Sequence, residues 1–224
     1  MKKIDIARYI DHTLLKPEAT SEDIERIVRE ALEYKFYGVC VNSSWVPFVK
    51  KLLEGEKEPP KIVSVVGFPL GAMGTEPKAY EAQWAVENGA EEIDMVIHIG
   101  KLKEGDLNYV KKDIEEVVKR AKVPVKVIIE AGMLTDEEKV EVTKIIVESG
   151  AAFVKTSTGF LAGGATVEDV KLLRQTSGPD FGVKASGGIR DYQKALQMIE
   201  AGANRIGTSS GVAIVRGETG EESY

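Results

Sequence analysis

The sequence predicts an α/β chain that closes into a single (β/α)8 barrel, and three observations predict it. Short runs rich in β-branched residues alternate with amphipathic helical segments eight times. Glu87-Asn-Gly89-Ala90, Glu148-Ser-Gly150-Ala151 and Glu200-Ala-Gly202-Ala203 each end a helix with a glycine cap just ahead of a strand. The 224 residues divide into eight units of roughly 25–30 residues, the size of a barrel repeat. Alternation of this kind makes the sheet parallel, with a doubly wound open sheet as the other arrangement it allows. No linker or low-complexity segment interrupts 1–224, so one domain is expected, with a short polar tail over 217–224.

The elements follow in order. Tyr9-Ile-Asp-His-Thr13 is a first strand, closed by Pro17. Thr20-x-x-Asp23 has the form of a capping box, and Ile24, Ile27, Val28, Ala31 and Leu32 behind it form one helical stripe. Gly38-Val-Cys-Val-Asn42 is the second strand, followed by a helix through Val49, Leu52 and Leu53. Lys61 to Gly67 is the third, running into the loop 68–74, and Thr75 to Asn88 is a helix that carries Pro77 in its first turn. Glu92 to His98 is the fourth strand, with a helix through Leu107, Val110, Ile114, Val117 and Val118. Val125 to Glu130 is the fifth, and Thr135-x-x-Glu138 caps the next helix. Phe153 opens the sixth strand, and Thr166-x-x-Asp169 caps the helix after it. Gly182 to Gly187 is the seventh, and a helix starts at Asp191. Arg205 to Ser210 is the eighth, before a short last helix.

Bulk properties narrow the function. Hydrophobic residues make up 43% of the chain and no apolar run is long enough to span a bilayer, so a soluble globular protein with no membrane partner is expected. The N-terminus opens with charges and enters a patterned segment directly, which predicts no signal peptide. A net charge of −6 argues against general nucleic-acid binding. The lone Cys40 allows no internal disulfide and suits the reducing cytoplasm. His12 and His98 are the only histidines and no Cys/His cluster has zinc spacing, so neither a metal nor another cofactor is expected.

The stretch Phe153-Val-Lys-Thr-Ser-Thr-Gly159 carries the first chemical signal. Side chains alternate along a strand, so Phe153, Lys155 and Ser157 share a side. A lysine inside a core strand is unusual. It is either a solvated lysine on an edge strand or a desolvated amine able to attack a carbonyl. Asp94, Lys126, Glu130, Lys155 and Lys184 all interrupt apolar strands, and a shared interior accounts for the five most simply. Two acids facing three lysines could then pair. A charged Lys184 beside Lys155 would lower the Lys155 pKa and leave a neutral amine for Schiff-base formation. Asp94, two strands back, is placed to relay protons through a water. Gly187-Gly-Ile-Arg190 and Gly207-Thr-Ser-Ser210 follow neighbouring strands, where backbone N–H groups can cradle a phosphate. A tight strand–helix turn would want the same residues.

Eight segments in order over nearly the whole chain then resemble 2-deoxyribose-5-phosphate aldolases. They are Asp11-His-Thr-Leu-Leu-Lys-Pro17, Val39-Cys-Val-Asn42, Gly67-Phe-Pro-Leu-Gly71, Glu92-Ile-Asp-Met-Val96, Lys126-Val-Ile-Ile-Glu130, Val154-Lys-Thr-Ser-Thr-Gly159, Lys184-Ala-Ser-Gly-Gly188 and Ile206-Gly-Thr-Ser-Ser210. The resemblance implies a class I aldolase that cleaves 2-deoxy-D-ribose 5-phosphate to acetaldehyde and D-glyceraldehyde 3-phosphate, and runs the reverse addition. It implies Lys155 as the Schiff-base lysine, with Lys184 and Asp94 handling protons and Asp11, Thr13, Cys40, Lys126 and Thr158 in support. Gly159, Gly187, Gly188, Ser209 and Ser210 match phosphate-proximal positions. Tyr224 matches a C-terminal tyrosine that takes part in proton transfer in some members. A homo-oligomer, dimer or tetramer, is expected. The chain departs from the family pattern at Ser43, Met73, Gly74, His98, Ala131, Leu161 and Ala162. Several of these fall where barrel enzymes vary specificity, so a carboligase with an altered acceptor is the alternative activity. A sugar-phosphate-binding barrel without turnover is the alternative outside enzymes.

Overall fold

The computed structural model describes residues 4–220. Its strands are β1 (Ile10–Leu14), β2 (Gly38–Val41), β3 (Lys61–Val66), β4 (Glu92–Val96), β5 (Val125–Ile128), β6 (Phe153–Lys155), β7 (Gly182–Ser186) and β8 (Arg205–Thr208). They pair in parallel in that order and β8 pairs with β1, closing a (β/α)8 or TIM barrel. The open doubly wound sheet is therefore not the arrangement adopted. Nine helices lie outside the strands among the described residues: α1 (Ser21–Glu33), α2 (Val46–Leu52), α3 (Thr75–Glu87), α4 (Ile99–Lys103), α5 (Leu107–Ala121), α6 (Asp136–Glu148), α7 (Val167–Ser177), α8 (Tyr192–Ala201) and α9 (Gly211–Arg216). No helix among the described residues is long and apolar enough to cross a membrane.

The expected caps form. Thr135 Oγ1 accepts from Glu138 N while Thr135 N donates to Glu138 Oε2, a reciprocal box that starts α6. Thr166 and Asp191 cap α7 and α8 through Asp169 N and Lys194 N. Several strands end earlier than their apolar runs. β4 stops at Val96, because His98 turns the chain and its Nδ1 accepts from Lys101 N to open α4, a helix the sequence reading lacks. β5 stops at Ile128, and Glu130 adopts a left-handed backbone with φ of 53°. Apolar periodicity marks which residues are buried, and buried residues continue past the last ladder pairing into the loops.

Two apolar layers result. The larger lies between barrel and helices, and α1 contributes Ile24, Ile27, Val28 and Ala31 to it. The smaller lies inside the barrel, where Leu15, Cys40, Val63 and Val65 pack with Phe68 and Phe160. Charged side chains fill much of the remaining interior. A Cβ on Gly38 would stand 2.6 Å from Asp11 Oδ1, so glycine at this position makes room for an interior carboxylate.

Helix α3 also holds the loop at the top of β3. Lys78 is fully buried, and its Nζ donates to Asp113 Oδ2 on α5 (2.6 Å), to Gly71 O (2.9 Å) and to Val96 O (3.0 Å). One turn later, Glu81 accepts from Gly67 N and from Ser43 Oγ. Both ends of the segment 67–71 are thereby tied to one helix, and the loop delivers Phe68 edge-on to Phe160, with ring centroids 5.3 Å apart. The sequence reading placed Lys78 in a helix without assigning it this role.

Candidate active site

Lys155 is the last residue of β6, and its side chain points into the barrel. It is 3% exposed, and its Nζ donates to Asp94 Oδ2 at 2.8 Å. The same oxygen accepts from Lys184 Nζ, also at 2.8 Å, and Asp94 Oδ1 accepts from Lys126 at 2.8 Å. Parallel register produces this convergence, since Asp94 stands opposite Lys126 and Lys155 opposite Lys184. Asp94 thus touches Lys155 directly.

The two lysines differ in environment. Burial lowers the pKa of Lys155; the Asp94 charge opposes that and the Lys184 charge adds to it, leaving the amine below the ordinary lysine value. Burial acts on Lys184 too, but Asp11 and Asp94 outweigh it and hold its pKa above the usual range. Lys184 Nζ lies 2.6 Å from Asp11 Oδ2. One lysine is biased toward the neutral amine and its neighbour is kept charged. Desolvation, and not Lys184 alone, is the leading cause for Lys155. Asp94 is held well below the carboxylate range against its burial, first by Lys126, then by Lys155 and Lys184. Asp11 is lowered to about 2 in the same way, by Lys184, Arg205 and Lys126. Burial pushes the Cys40 thiol up to about 11, so it stays protonated.

The five interior charges do not pair as the sequence suggested. Glu130 lies beyond the end of β5, and its left-handed backbone removes it from the alternation that carries Lys126. Its Oε2 accepts from Thr158 Oγ1, and Thr158 Oγ1 in turn accepts from Phe160 N. The acids that pair with the lysines are Asp11, Asp94 and Glu92. Glu92 Oε2 lies 2.6 Å from Lys126 Nζ and 2.8 Å from Arg205 Nη1. Sequence reasoning missed Glu92 and Arg205, although Glu92 precedes Asp94 by two residues and so shares its face. Thr13 faces the interior, where its hydroxyl donates to Asp11 O.

The remaining candidates lie on the loops after the strands. Gly159, Gly187 and Gly188 all have positive φ, at 82°, 88° and 71°. A Cβ on Gly188 would meet nothing within 4 Å, so this position faces open space. Ser209 and Ser210 follow β8, and Ser210 N donates to Thr208 Oγ1. The first residues of the expected polar tail are packed: Gly220 N donates to Arg190 O, and a Cβ on Gly220 would stand 2.2 Å from Ser210 Oγ. Tyr224 lies outside the described residues. Ala131 and Gly132 abut the β6–α7 loop, for a Cβ on Gly132 would stand 2.2 Å from Ala162 O, and the neighbouring Leu161 is 38% exposed. Met73 lines an open cleft of about 380 Å³ with Phe68 and Glu81. His98 caps α4 and lies edge-on to Tyr109 of α5.

Comparison with known proteins accords with this geometry. Residues 6–217 match the model of the DeoC/LacD family aldolases. A deoxyribose-phosphate aldolase of Thermococcus gammatolerans is 60% identical over 225 residues, covering 99% of this chain and 100% of that one. Among solved structures, one described as QR15, an aldolase, superposes with a TM-score of 0.91 at 40% identity, covering 96% of each chain. A deoxyribose phosphate aldolase from Aeropyrum pernix, described as having a unique tetrameric structure, superposes with a TM-score of 0.87 at 39% identity, covering 94% of this chain and 89% of that one. With a family match over nearly its whole length and a closed barrel that gathers three lysines on one aspartate, the chain belongs to the DeoC/LacD family aldolases.

Proposed function

We propose that the protein is a class I deoxyribose-phosphate aldolase, reversibly cleaving 2-deoxy-D-ribose 5-phosphate to acetaldehyde and D-glyceraldehyde 3-phosphate. The observation that carries this is the buried Lys155 amine, sharing Asp94 Oδ2 with a charged Lys184. Neutral Lys155 attacks C1 of the open-chain sugar, and loss of water gives the iminium. A base removes the C3 hydroxyl proton, the C2–C3 bond breaks, and its electron pair passes into the C1–C2 enamine. D-Glyceraldehyde 3-phosphate leaves with C3 as its aldehyde carbon. Protonation of C2 and hydrolysis then release acetaldehyde and free the lysine. Asp94 and Lys184 are the groups placed to hold and return these protons. Full-length similarity to deoxyribose-phosphate aldolases favours this activity over an altered carboligase or a silent binding barrel.

The phosphate is assigned to the turns after β7 and β8, with Gly187, Gly188, Ser209 and Ser210, and with Gly159 alongside. Cleavage of 2-deoxy-D-ribose 5-phosphate, followed by acetaldehyde release, tests the activity. Two variants test the phosphate assignment. Gly188→Ala meets no atom and reports only the left-handed backbone, which costs roughly 1–2 kcal/mol. Gly188→Glu adds charge, and is expected to raise KM for the phosphorylated sugar at least about tenfold beyond Gly188→Ala. Non-phosphorylated deoxyribose should separate the two variants far less. Equal losses on both sugars would move the phosphate elsewhere.

Lys184 supplies a second expectation. In Lys184→Leu, Lys155 loses a positive neighbour and keeps Asp94, so its pKa rises. Activity that requires the neutral amine then moves to higher pH, with a loss at pH 7 on the order of 10²-fold. A pH–rate profile for kcat/KM checks this, and an unshifted acid limb removes the electrostatic role. We further read the chain as a cytoplasmic homo-oligomer, supported by its buried Cys40 and by the tetrameric Aeropyrum pernix relative. Light scattering against the 24.4 kDa of one chain tests the assembly.

A further inference from the structure

Beneath the proposed nucleophile the buried charges close into a ring. Asp94 contacts Lys126 (2.8 Å), Lys126 contacts Glu92 (2.6 Å), and Glu92 contacts Arg205 (2.8 Å). Arg205 contacts Asp11 (3.2 Å), Asp11 contacts Lys184 (2.6 Å), and Lys184 returns to Asp94 (2.8 Å). Signs alternate at every step, three acids against three bases, so the ring is neutral. All six members are buried. The end farthest from Lys155 is closed by Tyr37, whose ring centroid lies 3.5 Å from the Arg205 guanidinium carbon, and by Phe153 at 5.2 Å.

Lys155 is a fourth base attached to this balanced set at Asp94. Protonating it adds an unmatched charge to a poorly hydrated interior, which is costly. Removing any member of the ring would leave a net charge that favours or opposes that proton. We propose that Glu92 and Arg205 are positioning residues that set the ionisation of Lys155 by keeping the ring neutral, from the end of the barrel away from the substrate. The groups facing Lys155 directly are Asp94 on β4, Lys184 on β7, Cys40 on β2 and Glu130 after β5. Asp11, Lys126, Glu92 and Arg205 act through them. The inference rests on Lys155 as the Schiff-base lysine.

The two residues carry opposite charges, so their removal has opposite consequences. Arg205→Met leaves the ring net negative, and the acid limb of imine formation should move up by about one pH unit. Glu92→Gln, nearly isosteric, leaves it net positive and should move the limb down by a similar amount. The double variant restores neutrality and should return the limb to near the parent position. Packing damage alone has no reason to give opposite signs or to cancel in the double variant.

The measurement is the rate of borohydride trapping with acetaldehyde across pH, with the adduct located on Lys155 by mass spectrometry. If the parent protein is not labelled on Lys155, the Schiff-base reading itself fails. If the parent is labelled there but the two single variants shift in the same direction, or neither shifts, the ring proposal is overturned and the aldolase reading stands. Should Arg205→Met fail to fold, Arg205→Gln removes the same charge and keeps a donor for Glu92. Should that also fail, Glu92→Gln decides alone, since an unmoved or raised limb contradicts the proposal.

Discussion

Lys155→Leu is expected to abolish imine trapping with acetaldehyde and to lower kcat for 2-deoxy-D-ribose 5-phosphate cleavage by roughly 10³-fold or more. Two features make the effect this large. The proposed nucleophile has no substitute, because Lys184 is held charged between Asp11 and Asp94, and Lys126 is engaged by Glu92 and Asp94 with Asp11 at 3.8 Å. Leucine also removes the amine without adding bulk, so the barrel should survive the change. Its ring partners remain, and Asp94 keeps two cations. Intact mass after borohydride reduction reads the outcome. Parent protein should gain a single reduced two-carbon adduct, and Lys155→Leu none. An adduct of the same yield in the variant would place the Schiff base on another lysine.

Lys78→Met is expected to destabilise the fold by roughly 3–5 kcal/mol, the cost of leaving one member of a buried ion pair without its partner. Among the described residues, Asp113 would keep Thr75 Oγ1, at 2.8 Å, as a side-chain hydrogen-bond donor. Gly71 O and Val96 O would lose the donor that joins the β3–α3 loop to the end of β4. The double variant Lys78→Met/Asp113→Leu removes both charges and should recover much of the loss, because a desolvated pair and an apolar pair of similar volume are often close in free energy. Urea unfolding of the four proteins gives the coupling between the two sites. Additive effects would show that the pair is not coupled. The loop ends at Gly67 and Gly71 should also loosen, with faster amide exchange across 67–74.

The elements and their order were legible because they are local. Ile24, Ile27, Val28 and Ala31 mark the buried stripe of α1 by spacing alone, and all four are buried. Thr135, Thr166 and Asp191 announce helix starts through bonds that reach only three residues. Lys155 and Lys184 were conspicuous as charges in apolar strands, and the parallel register sets them side by side. Their chemical setting was less legible. Glu130 shares a run with Lys126, but its backbone turns at φ 53° and its carboxylate goes to Thr158. Lys78 gives no such signal in the sequence, and it is buried by the β3–α3 loop, the end of β4 and Asp113 of α5 closing around it.

The sequence by itself therefore determined the eight alternating units, their caps, the lysine at the end of β6 and the family. Tertiary structure alone decided which charges meet. Arg205 and Asp11 are 194 residues apart and come together because β8 closes against β1. Glu92 and Arg205 are 113 apart and meet across the barrel interior. Local patterning fixes the face on which a side chain lies. Its partner is fixed by closure and register, which bring eight strands into one low-dielectric interior, where each charge is stable only beside its opposite.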